Sequence, residues 1–421
     1  MILLKHATVV NADGMQESDV LIDGGVISLV SPNIECFGAE VVDCEGKLVF
    51  PGFIDMHCHF RDPGQTHKED IESGSLAALA GGFTTVCCMP NTKPPLDNAA
   101  MAEYVRKRSA ALGNADVFPV CCITSGQNGE TLCEFGKMKE AGAIAVSDDG
   151  VPVENGAVML NALKYAKTFN IPLLSHSEDK SISGGGVVNA GDNATVSGLR
   201  CIPRAAESAA IARDVLLAEE AGAAIHICHV STAESVDIIR SAKKRGVRVT
   251  CETCPHYFSA TDDEILSYNT NAKINPPLRT ADDVDAIIEG IVDGTIDVIA
   301  TDHAPHHFDE KNVEFDYAPF GTVGLETAFS LAYTRLVLTD IIKPADLCRL
   351  MSAMPSRILG LTDRGKIEQG ARADITVIDP DAEYTVDASK FKSKGKNSLF
   401  DGWKLSGKIT DVIVCGVRKT L

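Results

Sequence analysis

Residues 53–59, with the sequence Phe-Ile-Asp-Met-His-Cys-His, form a short apolar segment that ends in two histidines. The length of the segment and its bulky apolar residues predict a buried β-strand. Side chains two positions apart lie on the same face of a strand, so His57 and His59 point the same way and Cys58 points the opposite way. Two adjacent imidazoles at the end of a strand are well placed to bind one transition-metal ion.

After residue 53 the sequence alternates short strand patterns with longer amphipathic helical patterns. The predicted strands are 53–57, 83–89, 117–122, 142–147, 171–177, 224–230, 247–253 and 297–301. Between them, apolar residues at helical spacing predict helices over 98–112, 154–169, 205–221 and 233–244. Eight buried parallel strands with intervening helices, over roughly 280 residues, predict a (β/α)8 barrel. The alternative, a doubly wound open sheet, usually has fewer strands and a glycine-rich turn after the first.

The two ends of the chain have a different pattern, with short alternating strands and tight turns. Neither end has enough apolar surface for a core of its own, because units of about 50 residues are marginal. We therefore expect the two ends to pair into one small β-sandwich beside the barrel. The predicted division is 1–51 and 366–421 for the two parts of the sandwich and 52–365 for the barrel.

Composition excludes several classes of protein. The chain has 421 residues, a 45% hydrophobic fraction and a net charge of −19, which is typical of a globular protein and unfavourable for binding nucleic acid. No apolar run approaches the ~20 residues that cross a bilayer, so we expect no membrane association. Residues 1–6 lack the pattern of a secretory signal, which favours a cytoplasmic location. We accordingly expect the 14 cysteines to be reduced.

Titratable residues follow several other predicted strands, at the end of a barrel where active sites lie. They are His176 after strand five, His229 after strand six, Asp302 after strand eight, and Asp148 and Asp149 after strand four. With His57 and His59 they form a set of four histidines and at least one aspartate that should converge on one rim. Because such a set exceeds the needs of one zinc ion, it predicts two metal ions ~3.5–4 Å apart. His226, three residues before His229, should instead point toward the helix layer.

Several polar residues near this rim are candidates for binding a substrate. Arg61, held before a turn, is a good clamp for a carboxylate because its planar guanidinium binds in a bidentate manner, and this role is favoured over the alternative of a pair with Asp62 in the turn. Asn91 and Asn275 could bind a polar ring or simply serve as turn residues. The glycine-rich stretch 181–186 is expected to be a flexible loop, and residues 306–320 either a lid or an ordinary loop.

At this point the sequence resembles the amidohydrolase superfamily and, within it, the long-chain bacterial dihydroorotase family. The matching stretches are 51–64 (PGFIDMHCHFRDPG), 89–92 (MPNT), 251–256 (CETCPH), 274–279 (INPPLR), 300–306 (ATDHAPH) and 324–327 (GLET). The resemblance covers nearly the whole chain. It implies zinc-dependent, reversible hydrolysis of the cyclic amide of (S)-dihydroorotate to N-carbamoyl-L-aspartate in pyrimidine synthesis, with one or two zinc ions per chain and two expected.

The resemblance also implies roles for individual residues. His57, His59 and Asp302 would bind the first zinc ion, and His176 and His229 the second. Many members of the superfamily bridge the metals with a carboxylated lysine, but no lysine lies between Lys139 and Lys164, so an aspartate is expected there, with Asp149 favoured over Asp148. Asp302 would carry the proton from a metal-activated water to the leaving nitrogen. The implied substrate contacts are His59, Phe60, Arg61, Asn91, Asn275, His306, Phe320 and Gly321.

Two other functions remain open from the sequence. One is a related cyclic-amide hydrolase, such as a dihydropyrimidinase (hydantoinase) or an allantoinase, whose substrates have no carboxylate for Arg61 to bind. The other is a non-catalytic scaffold subunit for aspartate transcarbamoylase, which the retained set of metal ligands disfavours. The small anionic substrate is the expected partner; a homodimer and an association with a transcarbamoylase are left open.

Overall fold

The structure, a computed structural model, describes residues 1–420. Its central feature is a ring of eight parallel strands that occur in chain order around the ring. Direct bridges from Cys58 to His303 and from Val146 to Leu173 join the two four-stranded halves and close the ring. The barrel strands are Phe53–Cys58, Phe83–Cys88, Asp116–Cys121, Ala145–Val146, Leu174–Ser175, Ile225–Ile227, Val249–Thr253 and Val298–Ile299.

Helices surround this ring and begin and end where the sequence provides suitable caps. Asn98, for example, accepts a hydrogen bond from the backbone N–H of Met101, and Gly113 ends that helix in the left-handed conformation. The longer helices are Ile71–Ala80, Ala99–Leu112, Gly156–Phe169, Ala205–Ala221, Ala233–Lys244 and Ala281–Val292. Shorter α-helices are Phe135–Glu140, Lys180–Ser183, Asp192–Ser197, Pro255–Ser259, Phe308–Lys311, Ala328–Ala332, Pro344–Cys348 and Met354–Leu359.

Inside the barrel, apolar side chains fill the space below the rim. This cluster is formed by Ile54, Met56, Cys87, Met89, Val120, Ala145, Leu174, Cys228, Val298, Ala300 and Leu359. It makes the barrel a packed core rather than a channel, so a ligand can reach the barrel only at the ends of the strands.

Both chain termini contribute to one eight-stranded sheet beside the barrel. Strand Leu48–Pro51 links them, because it pairs in parallel with Ile2–Asn11 and antiparallel with Ile375–Thr385. The two ends also share one apolar core, in which Val9 and Val49 pack with Ile375 and Ile413. The remaining strands of this sheet are Gly14–Asp23, Val26–Ser31, Glu40–Asp43, Lys404–Val414 and Val417–Lys419.

The predicted fold class is confirmed: a (β/α)8 barrel with a smaller β-structure built from both termini. The division into residues 1–51, 52–365 and 366–421 stays a prediction. The stretch 181–186, expected to be a flexible loop, instead begins with the helical turn Lys180–Ser183. Two short paired strands follow it, Val188–Asn189 and Cys201–Ile202. Among residues 1–420, no helix combines the length and the apolarity needed to cross a membrane.

Candidate metal centre

His57 and His59 lie side by side at the end of the first barrel strand, both buried. Their ring centroids are 5.4 Å apart. The Nε2 atom of His57 lies 3.3 Å from Asp149 Oδ1, and the Nε2 atom of His59 lies 3.5 Å from Asp149 Oδ2. The structure thus brings both imidazoles of the 53–59 segment to one carboxylate.

A second pair of imidazoles contacts the same carboxylate from the opposite side of the barrel. His176 Nδ1 lies 3.3 Å and His229 Nε2 lies 3.7 Å from Asp149 Oδ1, and the two histidine rings are 4.6 Å apart. The donor atoms fall into two groups that share Asp149, one with His57 and His59 and the other with His176 and His229, and within each group all donor atoms lie within 4.8 Å of one another.

The adjacent carboxylates Asp148 and Asp149 have different surroundings. Asp148 turns away from the histidines and accepts hydrogen bonds from the backbone N–H groups of Ile123 and Thr124 and from the Thr124 hydroxyl. Burial raises the pKa of Asp148 to about 6 despite these bonds. Asp149 alone of the two faces the four imidazoles, in the position that the preferred prediction requires.

Asp302 completes the cluster from the last barrel strand. Its Oδ1 atom lies 3.0 Å from His59 Nε2 and 3.6 Å from His57 Nε2. The backbone at Asp302, Arg61 and His229 has φ values of 45°, 55° and 37°, in the left-handed region that side chains disfavour. Such conformations cost of order 1–3 kcal/mol each and cluster at functional sites, so the surrounding structure holds these three residues in place.

The left-handed backbone at His229 explains one incorrect prediction. His226 was expected to point toward the helices, because it lies three residues before His229 on a strand. In the structure His226 points into the barrel, where its Nε2 atom lies 3.1 Å from Glu252 Oε2. The regular alternation ends at His229, whose positive φ turns its imidazole inward as well.

The cluster satisfies a test for metal binding that does not depend on resemblance. His57 Nε2 and Asp149 Oδ1 are buried and have no hydrogen-bond partner among the described residues. Buried polar atoms are almost always paired, and leaving one unpaired costs about 1–3 kcal/mol. Imidazole nitrogen and carboxylate oxygen are zinc ligands, and two groups sharing one carboxylate match a two-metal site. These residues therefore fit a pair of divalent ions.

The charges of the cluster are strongly coupled. Burial lowers the pKa of His57, but the negative charge of Asp149 outweighs it and raises that pKa well above its ordinary value. Burial raises the pKa of Asp149, but the charge of His57 and the close contacts with His176 and His229 outweigh it. The pKa of Asp149 therefore lies well below its usual range. For Asp302, burial raises the pKa, whereas the hydrogen bond with His59 and the nearby imidazoles lower it to about 2. Both carboxylates are therefore ionised at neutral pH and attract cations.

A cavity of about 480 Å³ opens above the cluster, and Arg61 lies in its wall. The Arg61 side chain is buried and donates a weak hydrogen bond from Nε to the Pro305 carbonyl at 3.4 Å. Within residues 1–420 no carboxylate lies within 4.0 Å of its guanidinium, and Asp62 instead binds the Tyr104 hydroxyl at 2.8 Å. Arg61 is thus a buried cation that Asp62, its neighbour in the turn, does not pair with.

The other candidate substrate contacts divide into two groups. The cavity wall contains His59, Asn91, Asn275, His306, Phe320 and Gly321. Phe60 is not among them, because its ring is buried in the barrel's outer core against Gly74. Gly321 has φ +135°, and a Cβ atom there would lie 2.6 Å from the Ala304 Cβ, so this position of the wall requires glycine.

The polar groups of this wall are only partly satisfied. Asn91 accepts a hydrogen bond from His59 Nδ1 at 2.9 Å, and Asn275 donates one to Glu178 at 3.0 Å. His306 donates from Nε2 to the Phe320 carbonyl at 2.8 Å, while its buried Nδ1 has no partner among the described residues. Burial and the charge of Arg61 lower the pKa of His306 to about 2, so this nitrogen is a neutral acceptor.

The sequence analysis missed two carboxylates that contact the histidines. Glu178 Oε2 lies 3.2 Å from His176 Nε2 and 2.6 Å from Lys180 Nζ, and Glu252 Oε1 lies 2.8 Å from His57 Nδ1. The signal for Glu252 was a charged residue inside the apolar strand pattern 247–253, since a buried carboxylate requires a partner.

Comparisons with known proteins identify the family. A model of the family described as dihydro-orotase-like matches residues 46–235. A dihydroorotase from Acetivibrio thermocellus is 50% identical over 406 residues, which are 96% of this chain and 95% of that protein. A dihydroorotase from Geobacter metallireducens is 54% identical over 399 residues, 94% of each chain. The chain belongs to the dihydroorotase family.

Solved structures place this dihydroorotase-family chain within a wider group of enzymes. An L-hydantoinase (dihydropyrimidinase) from Arthrobacter aurescens superimposes with a TM-score of 0.89 at 26% identity, covering 99% of this chain and 95% of that one. A dihydropyrimidinase from Brevibacillus agri, at 22% identity and a TM-score of 0.86, shares the fold. Dihydroorotases and hydantoinases are metal-dependent hydrolases of cyclic amides, and the chain is an enzyme of this class.

Proposed function

We propose that the chain catalyses the reversible hydrolysis of dihydroorotate to N-carbamoyl-L-aspartate in pyrimidine synthesis, with two zinc ions bound at the barrel rim. The observation that carries the proposal is the pair of donor groups sharing Asp149, beside a cavity whose wall contains the unpaired cation Arg61. His57, His59 and Asp302 would hold one ion and His176 and His229 the other, with Asp149 between them. Ions bound there would polarise the amide carbonyl and lower the pKa of an attacking water molecule.

The residues of the cavity wall would orient the substrate. Dihydroorotate has one carboxylate and a ring with amide N–H and C=O groups. The Arg61 guanidinium would bind the carboxylate, helped by the amide of Asn91. His306, whose free Nδ1 is an acceptor, would instead accept a hydrogen bond from a ring N–H. Asn275 and the backbone at Phe320 and Gly321 would contact the ring, which fixes the amide carbonyl toward the histidine cluster.

Asp302 would move the proton that the reaction requires. Cleavage of the amide needs a proton taken from the attacking water and delivered to the ring nitrogen. The Asp302 carboxylate is ionised, lies at the rim beside His59 and lines the cavity, so it can accept that proton and face the leaving nitrogen. His306 is an unsuitable proton carrier, because its lowered pKa keeps it neutral.

Two features favour dihydroorotate over the substrates of hydantoinases. Hydantoin and dihydrouracil have no carboxylate, so their binding would leave Arg61 buried without a counterion. No lysine lies between Lys139 and Lys164 to form the carboxylated-lysine bridge of many superfamily members, and Asp149 would bridge the two ions instead. Both features agree with relatives named dihydroorotase at about 50% identity over nearly the whole chain.

We place the reaction in the cytoplasm. All 14 cysteines are free, and most are buried in apolar surroundings, which is typical of a protein from a reducing compartment. The small anionic substrate is the partner that the cavity supports.

The test is a combined measurement on the purified wild-type chain. Zinc would be quantified by mass spectrometry, and hydrolysis would be followed for dihydroorotate, hydantoin, dihydrouracil and allantoin. We expect two zinc ions per chain and turnover of dihydroorotate far above that of the three uncharged rings. Preference for hydantoin or dihydrouracil would support the rival hydrolase, and a zinc-free, inactive chain would support the scaffold.

A further inference from the structure

Glu252 is a fully buried carboxylate that lies behind the metal centre, on the barrel strand Val249–Thr253. Its Oε1 atom is 2.8 Å from His57 Nδ1, and its Oε2 atom is 3.1 Å from His226 Nε2. Removing a carboxylate from water is costly unless hydrogen bonds compensate it, and here both oxygens are used by histidines. Burial of the Glu252 carboxylate therefore costs desolvation free energy, and its contact with His57 points to a role at the metal centre rather than in stability.

The contact determines which nitrogen of His57 is available. An ionised carboxylate only accepts hydrogen bonds, so the Nδ1 atom of His57 must carry the proton in this contact. The lone pair is then on Nε2, the atom that has no hydrogen-bond partner and lies 3.3 Å from Asp149 Oδ1. The ring is held by one nitrogen and presents the other to the rim.

The carboxylate is itself anchored on its far side. His226, which binds Oε2, is buried, and its other nitrogen lies 2.9 Å from the Thr250 hydroxyl. A chain of contacts thus runs from Thr250 through His226 and Glu252 to His57. His226 lies on the neighbouring strand Ile225–Ile227, so Glu252 cannot rotate away from His57 without also breaking its hydrogen bond with His226.

We propose that Glu252 is a positioning residue, which fixes the His57 ring with Nδ1 protonated and Nε2 free to bind the metal ion. This inference rests on the metal pair of the proposed function. Carboxylates that bind the second nitrogen of a metal-binding histidine fix its tautomer and orientation, and their loss typically lowers metal affinity about 10- to 100-fold. Glu252 touches neither the cavity nor the reacting atoms, so it acts only through His57.

The experiment compares zinc affinity of metal-free wild-type, Glu252→Gln and Glu207→Gln proteins by competition with a chromophoric chelator. Glu207 is the matched control: it is also a buried carboxylate of the barrel, but it binds Arg279 and the Ser231 backbone instead of a histidine of the centre. We expect Glu252→Gln to weaken one of the two zinc sites about 10- to 100-fold and Glu207→Gln to stay within about threefold of wild type.

Two further readouts separate positioning from general stability. Cobalt(II) substituted into the wild-type and Glu252→Gln proteins should give different visible absorption bands, because the His57 ligand changes orientation. Thermal unfolding of the metal-free proteins shows the purely structural cost, which both variants are expected to share. If Glu252→Gln does not fold, Glu252→Asp, which keeps the charge but withdraws it from His57, should show the same weaker zinc binding.

Wild-type zinc affinity together with a wild-type cobalt spectrum in the Glu252 variant would overturn the inference. The inference would also be overturned if the wild type bound a third zinc ion that the Glu252 variant lost. Glu252 would then itself be a metal ligand with His57 and Cys228, whose donor atoms also lie within 4.8 Å of one another. Failure of the wild-type chain itself to bind zinc would instead contradict the proposed function, so the two failures can be distinguished.

Discussion

Two buried aspartates, Asp149 at the barrel rim and Asp19 in the terminal sheet, have opposite surroundings. In the terminal sheet, Asp19 is buried and fully paired: it accepts hydrogen bonds from Lys5 Nζ at 2.7 Å and from the backbone N–H groups of His6 and Ile34, each at 2.9 Å. At the rim, Asp149 Oδ1 and His57 Nε2 are buried without hydrogen-bond partners among the described residues.

This difference separates stability from chemistry within one chain. A buried carboxylate that the chain itself supplies with hydrogen-bond donors, such as Asp19, contributes stability and needs nothing more. A buried carboxylate oxygen without a hydrogen-bond partner, such as Asp149 Oδ1, lowers the stability of the fold. A bound metal ion would supply the missing partner. We therefore expect substitutions in the terminal sheet to lower stability without changing activity. Substitutions at the rim should instead change metal binding and activity.

The largest expected effect comes from Asp302→Asn. An amide cannot accept and deliver the proton, so kcat for dihydroorotate should fall about 10²- to 10⁴-fold. Circular dichroism should remain that of the folded wild type, and some metal should be retained, because four histidines and Asp149 are unchanged. Steady-state kinetics with zinc supplied in excess would measure the loss. Near-native turnover would show that Asp302 is not the proton carrier.

The adjacent carboxylates provide a matched pair. Asp149→Asn should weaken zinc binding by more than the roughly 10- to 100-fold that loss of an outer hydrogen-bond partner costs, since Asp149 belongs to both donor groups. Asp148→Asn should retain both zinc ions and lose stability instead, because Asp148 holds the backbone at Ile123 and Thr124. Metal content and thermal unfolding of both variants check this, and the reverse pattern would assign the bridging position to Asp148.

Arg61→Met tests whether the unpaired cation selects the substrate. Truncating one partner of a buried charge pair costs about 2 kcal/mol or more, so kcat/KM for dihydroorotate should fall roughly 30-fold or more. Turnover of hydantoin, which has no carboxylate, should fall much less. The ratio of the two specificity constants is the measurement. An unchanged ratio would favour the hydantoinase function.

The smallest effect on activity is expected from Asp19→Ala in the terminal sheet. It should lower the free energy of unfolding by about 1–3 kcal/mol, because Lys5 and two backbone N–H groups lose their acceptor, while kcat and zinc content stay those of wild type. Urea unfolding with parallel assays measures both quantities. A large loss of activity at unchanged stability would break the separation between the two regions.

The same aspartate gives a pH dependence with a definite sign. Burial raises the pKa of Asp19, but the hydrogen bonds from Lys5 and from the backbone at Ile34 and His6 outweigh it and place the pKa below 3.8. The stabilisation by Asp19 is therefore complete above pH 3.8 and is lost as the pH falls through the folded-state pKa. Asp19→Ala should accordingly show a smaller loss of stability than wild type on acidification in that range.

Much of the fold was predictable from the sequence because it depends on local periodicity. All eight predicted barrel strands exist, and helices Ala205–Ala221 and Ala233–Lys244 begin and end at the predicted residues. The strand ends were less predictable: the predicted strand 171–177 is reduced to Leu174–Ser175, because ladder hydrogen bonds depend on neighbouring strands.

The candidate site was predictable where residues follow strand ends and unpredictable where tertiary contacts decide. His57, His59, His176, His229 and Asp302 converge as expected. The orientation of His226 depended on a backbone angle at His229 that no periodicity reveals, and the pairing of Glu252 with His57 joins residues 195 positions apart. Phe60 lies beside Arg61 in sequence, but its side chain is directed into the core rather than the cavity.

The most direct test of the dinuclear centre is a crystal structure of the zinc-loaded chain with anomalous diffraction collected on both sides of the zinc absorption edge. The account predicts two anomalous peaks, one on each side of Asp149, the first next to His57 and His59 and the second next to His176 and His229. A map without peaks among these residues, with His176 or His229 directed away from His57, would contradict it.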